Sequence, residues 1–420
     1  MLQLSQRQIL IVVLLAILFG GASLTNLGTL EEPLDPSISV LRFLTIGTSL
    51  IFLLALSGRN SWNFPIKPLP LSFLWAAFSF TVLLSGFVNN EMTAQRDGFW
   101  LLIAVPIIFF NALPKLMHKS ANLLITLGLL LGVSPYILIS FLVNPIWQSD
   151  SKIYSGIFPN SNQLGFTTAI LSSGVFILAI GFLFKKRSLT EVLIVNISLL
   201  ICLAVVLISN ARTAIITFSV MSLFLIWKLF QKPKNFSIAF VIGVIIAAIA
   251  FIVNAQNPWL FERIAEIQEK DSLSGRNDIW VKTIIDMTLL GNGEKYFEIN
   301  FGLGAHNTVI HVLGVNGLFA CVLMVLFAII SFFYAWLYFQ KNYREDCYAI
   351  APLVFMTCFW MLSMGEGMFG SLGNAMTIAY MLSIGVIMSD LNPQATSLEF
   401  KLREEKQLFI DVEKLPKRRR

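Results

Sequence analysis

Residues 308–338 read TVIHVLGVNGLFACVLMVLFAIISFFYAWLY, an apolar run with no aspartate, glutamate, lysine or arginine in it. A helix that crosses the hydrocarbon of a bilayer needs about 20 such residues, so this stretch alone predicts a membrane span. Working outward and cutting the chain at each polar interruption predicts twelve spans, at about 8–23, 39–57, 70–86, 98–113, 121–143, 163–184, 190–208, 213–230, 236–254, 308–338, 348–364 and 372–389. The first is expected to be a span rather than a cleavable signal, because an array of further spans follows and no small-residue cleavage site stands out. The composition agrees: of 420 residues 56% are hydrophobic and 13% charged, with 36 phenylalanines. A soluble chain carries about a quarter of its residues as charges, so a water-facing globule, a disordered chain, a fibrous repeat and a disulfide scaffold are excluded. Cys202, Cys321 and Cys358 lie in apolar runs and Cys347 beside basic residues, and none needs a disulfide partner. The expected fold is an all-α polytopic membrane protein, with one transmembrane domain over 1–389 and a basic tail over 390–420.

Charge placement predicts the orientation. With the N-terminus cytoplasmic, the inside segments hold Arg7, Arg59 with Lys67, Lys115 with Lys119, Lys185 to Arg187, Lys228 with Lys232 and Lys234, and Lys341 with Arg344. The short outside segments hold only Arg42, Arg96, Lys152 and Arg212. Lysine and arginine collect in cytoplasmic loops, so both termini are expected in the cytoplasm. The tail, ending Lys417-Arg418-Arg419-Arg420, either lies along anionic membrane lipid or simply solubilises the end of the chain. The net charge of +6 therefore speaks of topology, and no nucleic-acid partner is expected.

One loop stands apart. Residues 255–305 make a long outer segment where the other loops are short, and long loops in compact proteins carry function or are disordered. In Ser274-Gly275-Arg276-Asn277-Asp278-Ile279-Trp280, Ser274 is expected to cap a helix that places Trp280, Ile284 and Met287 on one face and Asp278, Lys282 and Asp286 on the other. This predicts an amphipathic helix on the outer surface. The run Glu262, Glu266 and Glu269 reads as a solvated face.

Three basic side chains could carry chemistry. Arg212 interrupts two apolar runs with almost no loop between them, which makes it either a functional intramembrane charge or a snorkelling arginine that tightens a hairpin. Its planar five-donor fork suits a phosphate. Arg276 in the first turn of the outer helix opposes the helix dipole and would be compensated by an anion or by pairing with Asp271 or Asp278. His306, in Gly302-Leu303-Gly304-Ala305-His306-Asn307, is a candidate base, since an imidazole accepts a proton near neutral pH. The alternative is a structural helix end with Asn307 as cap. His306 and His311, five apart on one helix, would fall on different faces, so no divalent metal is expected in the chemistry. Asn162 in Phe158-Pro159-Asn160-Ser161-Asn162-Gln163, Asn307, Trp280 and Glu366 are further candidates for substrate contact, with caps, turns and water exposure as the ordinary explanations. Gly314 and Gly317 are expected to permit close helix packing.

The ordered set Phe-Pro-Asn-x-Asn (158–162), Asn-Ala-Arg-Thr-Ala (210–214), Ser-Gly-Arg-Asn-Asp-Ile-Trp (274–280), Gly-x-Gly with Ala-His-Asn (302–307) and Gly-Val-Asn-Gly (314–317) resembles the O-antigen ligase and O-antigen polymerase superfamily. The resemblance covers roughly 155–330 in motifs and the whole chain in topology. It implies a multi-span enzyme similar to C-type glycosyltransferases, in the bacterial plasma membrane, which takes glycans from undecaprenyl diphosphate on the outer side without metal or other cofactor. Residue by residue, it implies that Arg212 and Arg276 bind the donor diphosphate and that His306 is a catalytic base or hydrogen-bond partner. Asn210-Ala211 departs from the wording common in that superfamily and leaves the subfamily open.

The expected reaction is an inverting transfer of a glycan from its lipid carrier to an acceptor hydroxyl on a glycan or lipid, with two arginines neutralising the leaving diphosphate and a histidine removing a proton. The rival reading is a transporter of a small anion, or a flippase for the lipid-linked glycan. A third is a non-catalytic scaffold for envelope assembly.

Overall fold

A computed structural model describes residues 4–28, 34–58, 61–62, 69–145, 154–184, 189–230, 276–368 and 374–390, and among these the regular structure is entirely helical. The helices are α1 (Gln6–Ser23), α2 (Pro36–Ser57), α3 (Leu69–Val88), α4 (92–117), α5 (Ala121–Val143), α6 (Ser161–Phe184), α7 (Leu189–Ser209), α8 (Arg212–Phe230), α9 (Asn277–Ile285), α10 (Tyr296–Phe301), α11 (Thr308–Asn342), α12 (Ala351–Ser363) and α13 (Ala375–Asp390). Among the described residues, eight helical runs are long and apolar enough to cross a membrane. One of them, Met92–Val143, is 52 residues long and turns back at His118, where φ is +48°, so it covers two of the expected spans. The ninth expected span (236–254), the outer loop up to residue 275 with the glutamate run, and the tail from 391 lie outside the described residues.

Two expected spans are shorter as helices than their apolar runs. α12 has 13 residues and α13 has 16, which at 1.5 Å per residue gives about 20 and 24 Å. Both are apolar all round, the signature of a helix inside a bundle, and from Ala375 to Met388 every residue of α13 is buried. The Phe359 ring of α12 stacks on Tyr380 of α13 at 4.3 Å between centroids. The ends trimmed from the expected span at 348–364 become turns, and the turn after α12 carries Gly365-Glu366-Gly367.

α4 is not a plain α-helix. Two π-helical turns, Trp100–Ala104 and Ile108–Ala112, precede Pro106 and Pro114 within it. A proline has no N–H to give the turn before it, so a carbonyl is left over. The indole of Trp75 donates to the carbonyl of Leu101 at 2.8 Å, and Trp75 sits in an aromatic cluster with Phe110 and Phe327 at 4.9 and 5.2 Å. α1 runs beside α5 across small residues: a Cβ at Gly132 would lie 2.5 Å from the carbonyl oxygen of Ala16. Backbones approach this closely where packing and not water exclusion drives helix association.

α11 is broken. Gly314 packs as expected, with Phe297 and Thr283 against it, but Gly317 is a correction: its φ of +89° and ψ of 179° interrupt the helix. The break frees backbone groups, and residues 288–293 insert beside it to pair with them. Asn292 and Gly293 donate their N–H groups to the carbonyls of Gly314 and Val315, and Leu318 and Phe319 donate to those of Thr288 and Leu289, at 2.9–3.3 Å. Irregular backbone in an apolar surround survives only when other protein groups satisfy it. The inserted segment is tied in turn to the α3–α4 connection, where the N–H of Glu294 donates to the Glu91 carboxylate at 2.6 Å and the Thr93 hydroxyl donates to Glu294.

Candidate functional site

The N-terminus of α6 presses on the turn between α7 and α8. Asn160 caps α6, accepting from the N–H of Gln163 at 3.0 Å, and leaves Asn162 exposed on the first turn. Three residues on, a Cβ at Gly165 would be 2.3 Å from that of Ala211. The α7–α8 connection is only Asn210 and Ala211, with Asn210 in the left-handed region at φ +53°. So short a turn makes Arg212 the first residue of α8, half-buried at the helix end.

The next residue carries the contact to α12. A Cβ at Gly365 would be 2.3 Å from Oγ1 of Thr213, so the turn after α12 lies directly on the start of α8. Glu366 is held there by its backbone: its N–H donates to Leu362 at 3.1 Å, and its carbonyl accepts from the Thr308 hydroxyl at 3.0 Å. The same hydroxyl accepts from the N–H of Met368 at 2.9 Å. Thr308 thus clamps the chain on both sides of Gly367 to the start of α11. The carboxylate Oε2 then lies 3.2 Å from Nδ1 of His306, with the two side chains 32% and 29% exposed.

His306 is not on a helix, which corrects the expectation that it shares one with His311. α11 begins at Thr308, and His306 precedes it with φ +48°, a conformation in which histidine is enriched among non-glycine residues. The His311 ring stacks instead on Phe297, 5.6 Å away and 17° from parallel. Asn307, expected at the substrate, is 3% exposed and committed to the frame: its Oδ1 accepts from Val309 and Ile310 at 2.9 and 3.2 Å, and its Nδ2 donates to the carbonyl of Met364 at 3.4 Å.

The 276–305 segment covers this end from the other side. α9 begins at Asn277, so Arg276 stands at the cap position and not in the first turn, without a side-chain cap bond of its own; Ser274 lies outside the described residues. The buried face of α9 is Ile279 with Thr283, while Ile284 and Met287 are 50% and 46% exposed. α9 is apolar around most of its circumference, and the side that the rest of the protein covers is the one facing Tyr296, Phe297, Ala305 and Val315, not the side of Ile284 and Met287. Trp280, half-buried at the edge of that small core, donates its indole N–H to the carbonyl of Ala305 at 2.9 Å, next to His306. Its own N–H donates to the carbonyl of Arg276 at 3.0 Å. The Tyr296 hydroxyl donates to Asp286 at 3.1 Å, and burial, with the Asp286 carboxylate adding to it, pushes the phenol above its ordinary pKa.

Contacts thus run from Thr213, which follows Arg212 in the chain, to the turn of Gly365 and Glu366 and on to His306, while Ala305 accepts from Trp280, whose own N–H bonds the backbone carbonyl of Arg276. Asn162 opens the helix that packs against the turn before α8. Every one of these residues is at the end of the bundle where α6, α8 and α11 begin and α7 and α12 finish. Chemically, this end offers an imidazole beside a carboxylate, and the starts of α8 and α9 nearby carry Arg212 and Arg276. Sequence reasoning missed the clamp by Thr308 and the contact between Thr213 and Gly365, for which nothing local gives a signal. It also missed the break at Gly317, for which the turn dipeptide Asn316-Gly317 was one. No protein-family model matches the chain, and no curated protein matches it.

Proposed function

We propose that the protein is a membrane glycosyltransferase of the C type, which moves a glycan from undecaprenyl diphosphate to an acceptor hydroxyl on another glycan or a lipid. In this reading the chain crosses a bacterial plasma membrane twelve times with both termini cytoplasmic, and the end bearing His306 faces outward. The observation that carries it is the 3.2 Å pairing of His306 with Glu366 on a frame shared with the start of α8, where Arg212 sits, and with the segment that follows Arg276. Such a grouping is matched to the reaction. The acceptor oxygen bonds to the anomeric carbon as its proton passes to His306, and the bond from that carbon to the diphosphate oxygen breaks with inversion. The electron pair leaves on the diphosphate, which Arg212 and Arg276 neutralise as charge develops. The diphosphate is already a good leaving group, so the reading requires no metal or other cofactor. Asn162 and the Trp280 ring edge remain candidates for sugar contact, whereas Asn307 serves the frame.

Reconstituted protein supplied with lipid-linked glycan and acceptor is expected to transfer the glycan, and His306→Ala at equal protein level is expected to lower the rate at least 10²-fold. Transfer is expected to survive chelation; recovery by added magnesium or manganese after chelation would refute the metal-free mechanism. The break in α11 favours one other reading, since transporters place substrates at broken helices. Solute flux without glycan transfer in the same vesicles would replace the first reading with that one.

A further inference from the structure

Glu366 does not behave as a free carboxylate waiting for substrate. Its backbone is anchored at both polar atoms, to Leu362 and to Thr308, so its side chain leaves a fixed point. Oε2 meets Nδ1 of His306 and not Nε2. His306 is itself fixed by neighbours on either side, Ala305 under Trp280 and Asn307 at the cap of α11. An ionised carboxylate can only accept, so the contact requires the proton of a neutral ring to be on Nδ1. The ring's other nitrogen is then the acceptor.

Resting on the glycosyltransferase reading, we propose that Glu366 is a positioning residue: it holds His306 in the tautomer with Nδ1–H donated to Oε2, which leaves Nε2 bare to take the proton of the acceptor hydroxyl. This reassigns Glu366 from substrate contact to orientation of the base, 60 residues away in sequence. The logic is that of carboxylate-oriented imidazoles in hydrolases, where the wrong tautomer costs about 10⁴ in kcat. Here both groups are about 30% exposed, water competes for the same bonds, and the expected loss is nearer 10²-fold.

The chain has three histidines, His118, His306 and His311, so full-length protein labelled with ring nitrogen-15 histidine in lipid nanodiscs gives three separable rings, assigned with His306→Asn and His311→Gln. At a pH where the rings are neutral, wild-type His306 is expected to show Nδ1 protonated and Nε2 bare. Glu366→Leu, which cannot accept, is expected to shift His306 toward the Nε2–H form while leaving His118 and His311 in place. Should that variant fail to fold, Glu366→Gln, a weaker acceptor of similar shape, is expected to give a smaller shift in the same direction. A wild-type ring bare at Nδ1, or a ring unchanged in the folded variant, overturns the proposal. Kinetically, the folded variant is expected to lose about 10²-fold in kcat with acceptor KM nearly unchanged. A raised acceptor KM with kcat retained would return Glu366 to the substrate and also overturn it. If wild-type protein transfers no glycan at all, the glycosyltransferase reading fails, and the nitrogen spectra still decide the pairing.

Discussion

An added β-carbon at Gly317 would lie 2.2 Å from the amide nitrogen of Gly291 and 2.5 Å from the carbonyl oxygen of Leu289, at a φ of +89°. Gly302, which ends α10 at φ +65°, has nothing within 4 Å of the same atom. Both positions share the backbone penalty, but only Gly317 adds a collision with backbone that cannot move aside. Gly302→Ala is therefore expected to destabilise by about 1 kcal/mol, and Gly317→Ala by about 3 kcal/mol or more, read as thermal unfolding in detergent; equal losses would contradict the docking of 288–293 into the break. His306 poses a related question, because its left-handed backbone and its ring are separable. His306→Asn keeps a residue type that tolerates this conformation and removes the proposed base. Wild-type stability with transfer lowered at least 10²-fold is the expected result, and a matching loss of stability would mark the position as structural.

Among the elements, α9 was legible as a helix but not as a face. Its sequence offers apolar residues at 279–281, 284 and 285, so its own periodicity permits more than one buried side. The choice is made by Tyr296 and Phe297 of α10 and Val315 of α11, which cover Ile279. Ile279→Ala is expected to cost about 2–3 kcal/mol as a core truncation, whereas Ile284→Ala is expected to stay within about 0.5 kcal/mol as a surface change; the reverse order in unfolding would contradict the packing of Ile279 against α10 and α11. The frame around α11 was half legible. A cap at Asn307 was foreseeable from its type and place before an apolar run, and the bond from its Nδ2 to the carbonyl of Met364 at 3.4 Å was not.

For the molecule as a whole, the two ends of the bundle differ in their charged networks. At the end opposite the site, Asn122 donates to the Asp346 carboxylate at 2.7 Å, the N–H of Tyr348 donates to it at 2.8 Å, and Lys341 pairs with Asp390 at 3.0 Å. Burial raises Asp346 above the ordinary carboxylate range, and the bonds from Asn122 and Tyr348 offset this only in part. Between its unfolded and folded pKa values the folded state holds the extra proton, so stability falls as pH rises through that window. Asp346→Asn is expected to flatten this slope in thermal unfolding, and an unchanged slope would remove Asp346 as its source. Orientation has its own test, in a Cys347→Ser background because the other three cysteines are buried. Cysteine at Met92 or Asn162 is expected to react with impermeant maleimide on intact cells, and cysteine at Lys119 or Arg344 only after permeabilisation; all four reacting from outside would sink the assigned topology.

The existence of the long apolar helices among the described residues, the membrane-protein class and the placement of Arg212 at a helix start were determined by the chain alone. The requirement for a span is local: about 20 apolar residues whose backbone groups bond within their own segment. Which polar groups meet was decided only in the tertiary structure. The bond between His306 and Glu366, the clamp of Thr308 on the turn after α12, and the pairing of 288–293 with the broken α11 all join segments that local hydrophobic periodicity treats as independent. A hydrogen bond between distant segments depends on where two backbones are brought by the packing of everything else, and residue type records only that such a bond is possible.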